Sequence, residues 1–207
     1  MRFFGNRDGN QQSSLPQRSS RHSSGWSHLL RHLRDNESLR VLDIGSTSSG
    51  NINFLTNIGH SIYMASIVED MRDARWKTTD PATGEATFDA DRFLSESLDF
   101  GDRRFDVVLL WDTLDYIPEG LVGPVLRRLR EVVHPGGVML AFFHIKPEGH
   151  FSRYHLREDE QVDMQPVGNV PIVRIYNNRQ IENLFTDFSA YKFFLAKDNL
   201  REIVVTC

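Results

Sequence analysis

Hydrophobic positions change period several times along the chain, and each change marks an element. "WSHLLRHLRD" (26–35) sets Trp26, Leu29, Leu30 and Leu33 at helical spacing, which predicts a short amphipathic helix. "SLRVLDI" (38–44) reads as a buried strand. "NINFLTNIG" (51–59) reads as a helix with Ile52, Leu55 and Ile58 on one side and Gly59 as its stop. "HSIYMASIV" (60–68) is the next strand, and the polar residues 72–92, with Pro81 and Gly84, predict loop with a turn of helix.

"RFDVVLLWD" (104–112) is an unbroken apolar run between charges, the pattern of a parallel strand covered on both faces. "EGLVGPVLRRLREVV" (119–133) carries Leu121, Val122, Val125, Leu126, Leu129 and Val133 on one helical face, with arginines opposite. "HPGG" (134–137) ends that helix and "VMLAFFHI" (138–145) is a further strand. After a polar stretch to about residue 170 come a helix (177–185), a strand (190–196), the turn "KDNLR" (197–201) and a strand (202–207). Strand–helix alternation predicts an α/β sandwich on a largely parallel sheet, with the last two strands pairing as an antiparallel edge hairpin. Ligands of such sheets gather beyond the carboxyl ends of the strands. The loops after Ile44, Val68, Leu110 and His144 are therefore where chemistry is expected.

Composition narrows the picture. The chain has 207 residues, 40% of them hydrophobic, with 14 Phe, 3 Trp and 5 Tyr, enough for one well-filled core. Residues 1–25 are rich in Ser, Gln and Arg and nearly free of aliphatics, which predicts a disordered N-terminal arm before a domain at 26–207. Its arginines Arg2, Arg7, Arg18 and Arg21 could meet a phosphate or an acidic partner, or simply face solvent. A net charge of -4 gives no sign of nucleic-acid or acidic-membrane binding. The single cysteine, Cys207, cannot form an internal disulfide. No apolar run approaches a membrane span, and the N-terminus lacks a signal-peptide core, so a soluble, cytoplasmic protein is expected.

The loop "DIGSTSSGN" (43–51) carries the first candidate chemistry. Backbone amides opening the following helix can receive an anion, and Gly45 allows a close approach. Ser46, Thr47, Ser48 and Ser49 offer hydroxyls, and Ser48 or Ser49 can cap the helix. An ordinary strand-to-helix turn would look much the same.

"VLDIGSTSSGN", "FDVVLLWDTLDYIP" and "LREVVHPGGVMLAFF" occur in the order and spacing of the class I S-adenosylmethionine-dependent methyltransferases, which residues 39–207 resemble. The resemblance implies a doubly wound, mostly parallel Rossmann-like sheet in a three-layer α/β/α sandwich. It implies S-adenosylmethionine as cofactor and methyl transfer to a small-molecule acceptor as the activity. Asp43 and Gly45 match the first acid and first glycine of the family's cofactor loop, and Ser46, Thr47 and Ser48 follow in it. Trp111 and Asp112 stand at the end of the fourth strand, where family members line the pocket, and Pro135, Gly136 and Gly137 match the turn before the fifth.

The chain also departs from that pattern. The family's middle and last glycines fall on Thr47 and Ser49, with Gly50 one residue late. The ribose-binding acid falls on Ser66 at the usual spacing, or on Glu69 if the second strand runs three residues longer; Glu69 is preferred, although Glu69 and Asp70 could equally open a solvated helix. Near an expected third strand, "RFLSESLDF" (92–100) puts Leu94 at the adenine-binding acid, leaving Ser95 or Glu96 as substitutes.

Asp112 and Asp115 are the acids best placed to face a sulfonium or an acceptor, and Trp111 and Tyr116 offer ring faces or core packing. His144, at a strand's end, could act as a base. The spacing of His134, His144, His150 and His155 does not make a metal site. "GHFSRYHLREDEQVD" (149–163) reads as a substrate lid or a charged loop. Thr47 and Ser66 leave open a non-catalytic, methyltransferase-like binding or regulatory protein. A nicotinamide-dependent oxidoreductase fits less well, for want of a G-x-G-x-x-G.

Overall fold

The computed structural model describes residues 17–194 and 198–207. The described chain enters through β1 (Ser19–His22) and α1 (Ser24–Asp35), which Ser23 caps by accepting from the Trp26 amide. A parallel unit follows: β2 (Arg40–Asp43), α2 (Ser49–Asn57), β3 (Ser61–Met64) and a single turn, α3 (Ile67–Asp70). A 3-10 turn (Ala74–Trp76) leads to β4 (Lys77–Thr79), β5 (Ala86–Phe88) and α4 (Ala90–Ser97). The second unit is β6 (Phe105–Trp111), α5 (Thr113–Tyr116), α6 (Glu119–Val132) and β7 (Val133–His144). β8 (Phe151–Leu156), β9 (Gln161–Gly168), α7 (Asn178–Leu184), β10 (Ala190–Phe194) and β11 (Leu200–Thr206) complete it.

The main sheet has the order β10-β11-β7-β6-β2-β3. β3, β2, β6 and β7 run parallel, and β11 lies antiparallel between β7 and β10. This is the expected doubly wound sheet with its closing antiparallel pair. The apolar run of β6 is explained by burial on both faces. Val107, Leu109 and Trp111 join a core built with α1 and Leu55, whereas Val108 and Leu110 join one built with α6 and α7. Three layers follow from that alternation.

Elsewhere the structure corrects the sequence-based expectations. The expected disordered arm overruns ordered chain: Ser19–His22 pairs with β9, and residues 1–16 lie outside the described residues. Composition misleads here because β1 contributes backbone pairing and one buried cation rather than apolar area. That cation, Arg21, reaches Asp198 at 2.6 Å and Glu202 at 2.6 Å, and Glu202 in turn accepts from the Gly25 amide.

The expected lid or charged loop is the hairpin β8–β9, which makes a second sheet of order β1-β9-β8. Its inward residues Tyr154, Leu156 and Val162 pack into the α1-side core. Residues 90–97, placed near a third strand, are helical instead. Asp89 caps that helix, Arg92 pairs with Glu96 one turn on, and Phe93 packs edge-on to Trp76. The "HPGG" stretch lies within β7, where Gly136 has φ 82 and the register with β6 jumps from Phe105↔Val133 to Val107↔Val138. No helix among the described residues is long and apolar enough to cross a membrane.

Candidate active site

The carboxyl ends of β2 and β6 lie side by side and carry most of the expected site. Asp43 is fully buried; its Oδ1 accepts from Trp111 Nε1 at 2.7 Å and from the Gly45 amide at 3.1 Å. Its Oδ2 accepts from Asn51 Nδ2 at 3.1 Å. Burial still holds this carboxyl above its ordinary pKa, against the lowering effect of those three donors. Asn51 ties the loop to β8, donating to the Tyr154 carbonyl at 3.1 Å and accepting from the Leu156 amide at 2.8 Å.

Ser48 caps α2, accepting from the Asn51 amide, and its hydroxyl lies 2.8 Å from His155 Nδ1. His155 Nε2 lies 3.0 Å from Gln165 Oε1, an acceptor, so Nε2 carries the hydrogen and Nδ1 accepts from Ser48. Burial lowers the His155 pKa, consistent with that neutral ring. Ser46 is buried beside Gly45 with a hydroxyl oxygen that has no partner among the described residues, whereas Thr47 is exposed.

Trp111 dominates the loop. It has φ 53, the left-handed region that bulky residues rarely enter. Its indole lies directly over Gly45, where an added Cβ would stand 2.5 Å from Trp111 Cδ1. Tyr154 stacks on the indole at 4.7 Å with the planes 6° apart, and Phe142 meets it edge-on at 5.5 Å. The space above the loop is therefore filled by the protein's own aromatic rings. Residues held in this region cluster at active sites and ligand clamps.

Behind Trp111 lies a buried ionisable cluster. Asp115 Oδ2 accepts from the His144 amide at 2.6 Å and from Nδ1 of the same residue at 2.9 Å. His144 Nε2 is 3.9 Å from Asp112 Oδ2, and the Tyr116 ring stands edge-on at 5.8 Å. Burial pushes the Asp112 carboxyl up to about 7 and raises Asp115 as well. For His144, burial acts downward, but the Asp115 hydrogen bond and the charges of Asp112 and Asp115 outweigh it and raise the pKa. Asp115 Oδ1 and Tyr116 Oη are buried without a hydrogen-bond partner among the described residues, and, acting against burial, the charge of His144 and the Tyr154 hydroxyl lower the Asp112 pKa. His144 also forms part of the wall of a cavity of about 250 Å³.

Asp43, Gly45, Ser46, Ser48, Trp111 and Asp112 are thus brought together, as the sequence suggested, with Thr47 at the rim. Glu69 is not among them. β3 stops at Met64 rather than running on, because the chain turns at Ser66, whose hydroxyl donates to the Gly45 carbonyl at 2.9 Å. Glu69 lies exposed on α3, and Ser95 and Glu96 are exposed on α4. Sequence reasoning missed Asn51, Tyr154 and the pairing of Asp115 with His144. Asn51 could have been found, since it follows the cap by three residues and so turns back towards the strand; Tyr154 left no local signal. No group of three or more His, Cys, Asp or Glu side chains able to hold a metal occurs among the described residues.

Comparison with known proteins agrees with this architecture. Residues 18–188 match the family described as "Methyltransferase domain". No curated protein matches the chain. Among solved structures, an S-adenosylmethionine-dependent methyltransferase from Methanosarcina mazei shares 16% identity, with 86% of this chain and 96% of that one covered, at a TM-score of 0.52. A Pyrococcus horikoshii OT3 protein shares 14% identity over 88% of each chain, at a TM-score of 0.51. Both likenesses concern the fold, while the family match extends over most of the sequence. The chain belongs to the methyltransferase-domain family.

Proposed function

We propose that the chain transfers a methyl group from S-adenosylmethionine to a small-molecule acceptor, from a cofactor cleft that Trp111 keeps shut until the cofactor enters. The observation that carries this reading is a buried hydroxyl without a partner among the described residues, Ser46 Oγ next to Gly45, with the Asp112 carboxyl, which burial pushes up to about 7, next to Trp111. Such an unpartnered atom costs about 1–3 kcal/mol unless something completes it.

The donors fit the cofactor. Loop amides and the Ser46 hydroxyl would hold its amino-acid end, and Asp112 would face its cationic centre. Glu69, the acid expected to take the sugar hydroxyls, stands exposed on α3 outside this cluster. S-adenosylmethionine supplies a methyl group already activated on a sulfonium, so the protein's task is positioning. The space over Gly45 does not fit while the indole occupies it.

Moving the indole breaks a hydrogen bond to a carboxylate, about 1.5–3 kcal/mol, and an aromatic stack, about 0.5–1.5 kcal/mol. The sum, about 2–4.5 kcal/mol, is smaller than the roughly 8 kcal/mol of a micromolar ligand. Closure therefore weakens binding without forbidding it. Calorimetric titration with S-adenosylmethionine and S-adenosylhomocysteine is expected to give saturable heat. No heat from either at millimolar concentration overturns the reading.

A second reading, a family member that binds or regulates a partner without catalysis, is favoured by the same plug. Trp111 and Tyr154 fill the cleft, Asp43 is engaged by three donors, and Thr47, Ser49 and Ser66 stand where the family uses glycines or an acid. Under that reading no change at Trp111 restores cofactor binding.

A further inference from the structure

The cavity at the carboxyl end of β7 has ionisable machinery in its wall that the cofactor loop does not use. It lies against the β1-β9-β8 sheet, and Met164, Pro166 and Leu200 give it apolar surface while His144, Lys146 and Asp198 give it polar edges. We infer that this cavity receives a small hydroxyl-bearing molecule and that His144, fixed by Asp115, takes the hydroxyl proton. The inference names the acceptor class for the methyl transfer proposed above and rests on that reading.

Three observations converge. The first is orientation: one carboxylate oxygen of Asp115 accepts from both the backbone amide and Nδ1 of His144, at 2.6 and 2.9 Å. That fixes the ring and puts the hydrogen on Nδ1, which leaves the Nε2 lone pair to accept a proton. The second is availability. Nε2 has no hydrogen-bond partner among the described residues; its nearest charged neighbour is Asp112 Oδ2 at 3.9 Å. Residue 149 is glycine, and a Cβ there would stand 2.5 Å from Nε2, so any larger residue would cover the nitrogen.

The third is the size and chemistry of the space. At about 250 Å³ it falls just below the range of about 300–1,000 Å³ that holds drug-sized ligands, which selects a small compound. A carboxylate acceptor has no proton to lose at neutral pH and needs no base. A neutral hydroxyl on an apolar body does. In the step, the acceptor's O–H bond breaks, its electron pair stays on oxygen, and the proton bonds to Nε2. The imidazolium so formed lies between Asp115 and Asp112, with the Tyr116 ring edge-on, and later releases its proton to water. The other histidine–hydroxyl pair, Ser48 with His155, offers no equivalent, because the Ser48 oxygen is already engaged as a helix cap.

The test uses the full chain, no cofactor, and 4-nitrophenol, whose ionised form has its own visible absorbance. Below the pH at which the free probe is half ionised, wild-type protein is expected to raise the ionised fraction saturably, roughly tenfold for a shift of one pH unit. His144→Gln should still retain probe in equilibrium dialysis but give no absorbance change. Gly149→Ala, which crowds Nε2 while keeping both His144 and Asp115, should also lose the change, and it decides the matter if His144→Gln fails to show a cooperative thermal melt. Absence of a saturable change with wild type, or an equal change with either folded variant, overturns the inference. Because no cofactor is present, failure of the S-adenosylmethionine titration and failure of this test are separate results.

Discussion

Replacing Trp111 with glycine removes the plug and the backbone strain together. The indole's contacts that close the cleft, the 2.7 Å hydrogen bond to Asp43 and the 4.7 Å stack on Tyr154, are worth about 2–4.5 kcal/mol in sum. If closure is the obstacle to binding, S-adenosylhomocysteine should bind Trp111→Gly about 30- to 2,000-fold more tightly than wild type, the corresponding population ratio. Losing a buried aromatic costs about 3–5 kcal/mol of stability. Relief of the left-handed backbone at φ 53 returns about 1–2 kcal/mol, because glycine adopts it freely. The net loss of about 1–4 kcal/mol, read as a lower urea midpoint, should shrink when the ligand is added. Titration calorimetry on the two proteins at 25 °C measures the ratio. A folded Trp111→Gly that binds no more tightly than wild type refutes the gate and favours the non-catalytic reading.

Three further outcomes follow from the same contacts. Asp112 and His144 both have raised folded pKa values, so both hold protons more tightly when folded; their stabilisation is full at low pH and is lost as pH rises, for Asp112 through about 7. Urea midpoints should therefore fall between pH 5 and 8, by up to about 1.4 kcal/mol per pH unit and group, and Asp112→Asn should flatten the slope; a wild-type midpoint that climbs over this range contradicts the assignment. Arg21→Ala strands the buried Glu202 and should cost about 3–5 kcal/mol in chemical denaturation, with part regained on adding Glu202→Gln; a loss under 1 kcal/mol would show that β1 is not held by this pair. Ser48→Ala removes the cap of α2 and should cost about 1–2 kcal/mol in thermal melts, and an unchanged melting temperature would rule the cap out as a stabilising contact.

The parallel strands of the main sheet were legible because its central strands are buried twice. The run Val107–Trp111 and the run Met139–Phe143 have no polar alternation, and only a strand covered by helices on both sides tolerates that. Gly59, with φ 91, and a serine cap at 48 or 49, which Ser48 supplies, were legible for a similar reason, since few residues serve those positions. The hairpin β8–β9 was not, because its strands have one polar face and Tyr154 and Leu156 gain their burial from elements far away in sequence, α1, α2, β6 and β7 among them. β1 was hidden for the same reason: its partner, β9, is some 140 residues on. At the site, residue types were readable but occupancy was not. Trp111 at a strand's end suggested a ring lining a pocket; that it turns back over Gly45 depends on a left-handed backbone and on Tyr154, neither of which has a local sequence signature.

The gate itself can be watched at its own hydrogen. The Trp111 indole N–H, bonded to the buried Asp43 carboxylate, gives a nitrogen-15 correlation that Trp111→Phe identifies by its loss. Titrating wild-type protein with S-adenosylhomocysteine should shift that resonance saturably, in step with calorimetric heat, as the indole leaves the loop. Heat of binding with the Trp111 resonance unmoved would place the nucleotide elsewhere and contradict the account.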